Sequence, residues 1–158
     1  GRHDHDLIEL YCGNGNFTLP LSVLFRKVLA TELDRYSVRA AIACAEEAGV
    51  SNVALASLSA AEATQALNKE REFFRLRDMD LTSYSFNTLL VDPPRAGLDE
   101  HSLSLAQGFD EVLYVSCNPA KLEEDLKQLP AHKVAAAAMF DQFPWTQHAE
   151  VAVKLVRK

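Results

Sequence analysis

Five short apolar runs, each closed by turn residues and each followed by a longer amphipathic stretch, limit what this chain can fold into. The first is Leu7-Ile8-Glu9-Leu10-Tyr11 and the second is Lys27-Val28-Leu29-Ala30-Thr31; the others cover residues 52–56, 87–91 and 111–116. Runs of this length, rich in Val, Ile and Leu rather than strictly alternating, read as strands buried on both faces. The stretches between them carry helix punctuation. Asp34 is placed to cap a helix that ends near Gly49, a good left-handed C′ residue. Residues 17–25, 59–67 and 100–107 read as helices, and Pro119 opens another that continues to Leu129. Residues 68–84 are charged and mixed and give no periodic signal. Residues 134–140 and 151–156 are two last strands with no helix between them.

Strand–helix alternation builds a parallel sheet with helices on both faces. The closing strand pair adds an antiparallel hairpin at one edge. The expected fold is therefore α/β: a doubly wound, Rossmann-like and mostly parallel sheet with an antiparallel C-terminal edge hairpin. A length of 158 residues suits one compact domain over 1–158. No apolar stretch reaches bilayer length and no signal peptide opens the chain, so no membrane association is expected. Three cysteines without paired spacing argue against a disulfide framework or a zinc ribbon. A reducing, cytoplasmic setting and no metal are the expectations. The net charge of −6 is a poor footprint for a stand-alone nucleic-acid binder. Oligomeric state is left open.

Ligands of open α/β sheets sit outside the carboxyl ends of the strands, and the residues there carry the chemistry. After the first strand comes Tyr11-Cys12-Gly13-Asn14-Gly15-Asn16, a glycine turn that permits close approach of a ligand to backbone. Phe17 and Thr18 follow where a dinucleotide fingerprint would continue with glycine, which weakens NAD or FAD. Glu32 ends the second strand, where an acid takes the ribose hydroxyls of an adenosine cofactor. Asp92-Pro93-Pro94-Arg95 ends the fourth strand with a stiff backbone and an acid beside the cleft. Cys117, in Ser116-Cys117-Asn118-Pro119, ends the fifth strand at a helix N-terminus, a setting that favours thiolate. Cys44, inside a helix, and Cys12, in the turn, fit the commoner role of small buried residues. Glu150, just before the last strand and near His148, is a candidate general base.

Together, Glu-Leu-Tyr-Cys-Gly-Asn-Gly-Asn, Val-Asp-Pro-Pro-Arg, Ser-Cys-Asn-Pro and Phe-Asp-Gln-Phe-Pro with His-Ala-Glu resemble the RNA uracil-C5 methyltransferases in kind and order. The resemblance covers nearly the whole chain, as the family's C-terminal catalytic domain and so as part of a longer protein. Residues 71–81 look closest to the bacterial tRNA branch. The resemblance implies S-adenosyl-L-methionine as cofactor and a tRNA T-loop uridine, or another T-loop-like RNA, as substrate. It assigns Tyr11, Gly13, Asn16, Glu32 and Asp92 to the cofactor, Cys117 to the nucleophile and Glu150 to the base. An aromatic-Gln segment that precedes this region in the family has no counterpart here. Two other readings stand beside it: an amino-methyltransferase using Asp92-Pro93-Pro94, although Arg95 replaces the usual aromatic residue, and a cofactor-binding module without activity.

Overall fold

The computed structural model describes residues 2–141 and 149–158. Its strands are β1 (Arg2–Leu10), β2 (Phe25–Glu32), β3 (Val53–Ser57), β4 (Phe86–Val91), β5 (Glu111–Ser116), β6 (His132–Phe140) and β7 (Glu150–Arg157). Its helices are α1 (Thr18–Ser22), α2 (Arg35–Glu47), α3 (Ala60–Leu67), α4 (Glu100–Gln107) and α5 (Pro119–Lys127). One seven-stranded sheet has the order β3-β2-β1-β4-β5-β7-β6. The neighbours from β3 to β5 pair in parallel; β7 runs antiparallel to both β5 and β6. The expected sheet and hairpin are present. The returning strand β7 inserts between β5 and β6, so the free edge is β6 and not the chain's last strand.

Successive strand residues pack on opposite faces, as the pleat requires. Ile8, Leu10, Leu29, Leu89, Val91, Val112, Tyr114, Val153 and Leu155 share one core with residues of α3, α4 and α5. Leu7, Phe25, Val28 and Leu90 form a smaller core on the other face, joined by Leu21, Val53, Leu113 and Val115. Both faces of the central strands are thus buried, which is why their sequences are continuously apolar. Among the described residues, no helix is long and apolar enough to cross a membrane.

Helix starts follow their caps. The Asp34 carboxylate accepts from the amides of Tyr36 and Ser37 and starts α2. Ser59 and Glu62 form a reciprocal capping box at α3. Asn118 accepts from the Lys121 amide, with Pro119 in the first turn of α5. Gly49 closes α2 with φ +67°. Two expectations need correction. The first helix was expected over 17–25, but α1 has only five residues. Phe25 is already a buried residue of β2, paired with Arg2 in β1, so the chain must turn into the sheet before it. The stretch without a periodic signal holds two 3-10 turns, Phe74–Leu76 and Leu81–Ser83, pinned by the buried Phe73 and Leu76.

Candidate active site

Every residue singled out for chemistry and described by the structure lies at one edge of the sheet, where the parallel strands end. The turn after β1 is wound through left-handed backbone at Tyr11 (φ +61°), Gly13 (φ +53°) and Gly15 (φ +83°). The Cys12 amide donates to the Thr31 carbonyl at 3.0 Å, which ties the turn to β2. The two glycines differ in purpose. A Cβ on Gly15 would lie 3.3 Å from that of Ala41, so Gly15 lets the turn pack on α2. A Cβ on Gly13 would meet nothing within 4 Å, so Gly13 leaves its backbone open to a ligand.

Glu32 closes the turn from the neighbouring strand. Its carboxylate accepts from the Gly13 amide at 3.1 Å and from the Asp34 amide at 2.9 Å, one on each oxygen. A carboxylate oxygen accepts more than one bond, so both oxygens keep capacity toward the open side. Tyr11 is half-buried, its hydroxyl 2.9 Å from that of Ser102 in α4. Asn16 is exposed on the outer part of the turn.

An acid that sequence reasoning left out of the site sits beneath this turn. Glu9 is fully buried near the end of β1 and accepts a 2.6 Å hydrogen bond from the Thr18 hydroxyl. Its other oxygen, Oε1, is buried and has no hydrogen-bond partner among the described residues. Burial pushes its carboxyl up to about 7; the Thr18 hydroxyl opposes this and the Asp92 charge adds to it. The signal in the sequence was an acid inside an apolar strand, which is rare without a reason. Asp92, after β4, is half-buried and is itself raised to about 6, first by burial and then by the Glu150 charge. Glu9, Asp92 and Glu150 therefore form a line of carboxyls that feel one another across the strand ends.

Strand register brings Cys117 and Glu150 to the same end of the β5–β7 pair. Ser116 at the end of β5 pairs with Val151 near the start of β7. Glu150, the first residue of β7 and the partner of Phe140 in β6, lies one position beyond that pair, at the end of the two antiparallel strands where Cys117 follows β5. Cys117 and Glu150 are both partly buried. Cys117 is flanked by a tight bracket: the Ser116 hydroxyl accepts from the Asn118 amide and donates to the Asn118 carbonyl, both at 3.1 Å. Residues 142–148, including His148, lie outside the described residues. The other thiols have different settings. Cys12 is buried, and burial, followed by the charges of Glu9 and Glu32, holds its thiol up at about 12. Cys44 was expected to be buried in its helix, but it is exposed. It lies off the face of α2 formed by Val38, Ala41 and Ala45.

A glycine turn, an acid on the next strand, and a thiol and a carboxylate at one end of neighbouring strands make up the site. The sequence profile described as tRNA (Uracil-5-)-methyltransferase matches residues 1–158. The chain belongs to that family. It is 53% identical over 159 residues to a tRNA/tmRNA (uracil-C(5))-methyltransferase of Stutzerimonas stutzeri, and 54% identical to one of Pseudomonas aeruginosa. Each alignment takes in all of this chain and 44% of the relative, so the chain spans less than half of the curated proteins it matches. Among solved structures it resembles the tRNA (uracil-54, C5)-methyltransferase of Pyrococcus abyssi in complex with S-adenosyl-L-homocysteine. The TM-score is 0.72 at 26% identity, over 96% of this chain and 34% of that one.

Proposed function

We propose that this chain is the catalytic domain of a longer enzyme that methylates C5 of a uridine in tRNA, with the T-loop uridine as target. The observation that carries this is the β5–β7 register, which delivers a thiol and a carboxylate to the strand ends beside the glycine turn.

S-adenosyl-L-methionine, when bound, supplies an electrophilic methyl group on a sulfonium. The residues fit it. Gly13 leaves open backbone, both Glu32 oxygens keep acceptor capacity for a ribose diol, and the buried Glu9 Oε1 lacks a partner. Tyr11, Gly13, Asn16, Glu32 and Asp92 would hold it, with the buried Glu9 carboxyl beneath the turn.

The remaining chemistry is the protein's. C5 of uracil is a weak nucleophile until the ring's conjugation is broken. The Cys117 thiolate adds to C6, forming a C–S bond and moving the ring's electron pair toward C5 and O4. C5 would then take the methyl group as the methyl–sulfur bond of the sulfonium breaks, the sulfur leaving as a neutral thioether, and C5 would still hold its original proton. The Glu150 carboxylate removes that proton, the C5–C6 double bond reforms, and the C–S bond breaks to return the thiolate. A nucleobase within folded RNA must leave its stack to reach such a site.

The test uses the full-length protein and tRNA carrying tritium at uridine C5. The parent releases tritium only when S-adenosylmethionine is present. Cys117→Ala is expected to stop both release and covalent complex formation. Glu150→Gln is expected to cut turnover by about 10²- to 10⁴-fold, the usual worth of a positioned base, while the RNA–protein adduct accumulates. Undiminished methylation by Cys117→Ala would show a direct transfer without the thiol.

A further inference from the structure

The loop that carries Asp92 and the strand that leads to Cys117 are fastened to each other by one buried side chain that the chemistry above does not use. Asp125, on α5, is fully buried. Its Oδ2 accepts from the Leu98 amide at 2.9 Å and from the Tyr114 hydroxyl at 2.7 Å. Its Oδ1 lies 3.2 Å from the ammonium of Lys121, one turn earlier on the same helix. Tyr114 is itself fully buried, three residues before Cys117 in β5. Leu98 is six residues after Asp92.

The segment between Asp92 and Leu98 transmits that anchor. Pro93 and Pro94 each fix a backbone angle. The Gly97 amide donates to the Pro94 carbonyl at 2.8 Å and folds the segment into a turn. Gly97 has φ +80°, and a Cβ there would fall 2.5 Å from both Asp125 Oδ2 and Lys121 Cγ. The loop is thus drawn onto the carboxylate at a distance that only glycine permits. A second tie lies nearer the thiol: the Asn118 side-chain amide donates to the Arg95 carbonyl at 3.0 Å. Stiff on one side and anchored on the other, Asp92 has little freedom relative to Cys117.

We infer that Asp125 is a positioning residue, whose carboxylate fixes the cofactor-holding Asp92 loop against the strand that presents Cys117 and so sets the spacing between the methyl donor and the thiol. The inference rests on the uracil-C5 reading. A carboxylate suits the task because one oxygen accepts two donors from two different segments while the other faces Lys121. Burying that charge is tolerable because it is paired and hydrogen-bonded.

The test again uses the full-length protein. Asp125→Asn keeps the shape and removes the charge. Misplacement of reacting groups by an ångström costs about 100-fold, so the single-turnover rate of methyl transfer per folded molecule is expected to fall about 10- to 100-fold. S-adenosylhomocysteine affinity, measured by calorimetry, is expected to change less than about threefold, because Tyr11, Gly13, Asn16 and Glu32 lie on other strands and leave Asp92 as one contact among five. Hydrogen exchange at the Leu98 amide is expected to quicken. Gly97→Ala is expected to show the same split between rate and affinity, with Tyr114→Phe milder; these two carry the test if Asp125→Asn fails to fold. An unchanged methyl-transfer rate per folded molecule, or a rate loss matched by an equal loss of affinity, would overturn the inference. Failure of the underlying reading shows separately, as a parent protein that forms no adduct with tRNA.

Discussion

Three thiols in one chain meet three environments, and their reactivities should separate accordingly. Cys12 is held up at about 12, so at pH 8 it carries almost no thiolate. Cys44 is exposed and Cys117 is half-buried at the mouth of the cleft. Iodoacetamide at pH 8, followed by peptide mass spectrometry, should label Cys44 and Cys117 in the folded protein and Cys12 only after denaturation. Glu9 gives a second residue-level expectation. Its folded value of about 7 stands above the 4.5 of a free glutamate, so between these values the folded chain keeps a proton that the unfolded chain has lost. Its contribution to stability therefore declines as pH rises from about 4.5 to about 7, by a total on the order of 3 kcal/mol. Glu9→Gln removes that proton equilibrium and should flatten this part of the profile in urea unfolding between pH 4.5 and 7.5. The sequence made the thiol and the strand-end acids legible because each sits where a run of apolar residues stops. Glu9 was hidden by the same rule, since it lies inside its run. The exposure of Cys44 was also out of reach: helix membership does not say which side of the helix faces the sheet.

At the scale of elements, local signals worked wherever a side chain speaks directly to the backbone. Asp34, Ser59, Asp99 and Asn118 each begin a helix by accepting main-chain amides. The Ser59–Glu62 box has the added support of Arg75, which pairs with Glu62 and donates to the Ser57 carbonyl. Ser59→Ala should lower unfolding free energy by about 1 kcal/mol, the common cost of losing such a cap, measured by urea denaturation. Elements fixed by tertiary contact were harder to see. α1 stops early because β2 claims Phe25, a decision made by pairing with β1 and by burial in the smaller core. The 3-10 turns around Phe74 and Leu81 follow no periodicity; their place is set by Phe73 and Leu76 reaching the main core.

For the whole molecule, alternation of strand and helix predicted the sheet but not the order of its last two strands. Nothing in residues 134–140 or 151–156 says which will be the edge. The structure leaves β6 there, with Val134, Met139 and Phe140 all more than half exposed. Below it an apolar cavity of about 290 Å³ runs along the sheet, lined by Phe17, Leu21, Leu113, Val115 and Ala152. A long apolar edge invites pairing with other chains. The 158-residue chain should therefore associate with rising concentration, and Met139→Lys with Phe140→Lys should reduce this in sedimentation velocity.

The position of Glu150 is decided by pairing with β5 and not by counting along the chain from Cys117. Deleting one residue inside β7 should therefore end turnover in the tritium-release assay. A one-residue slip sends every side chain of a strand to the opposite face, and the carboxylate would then point away from the uracil whose proton it is meant to take.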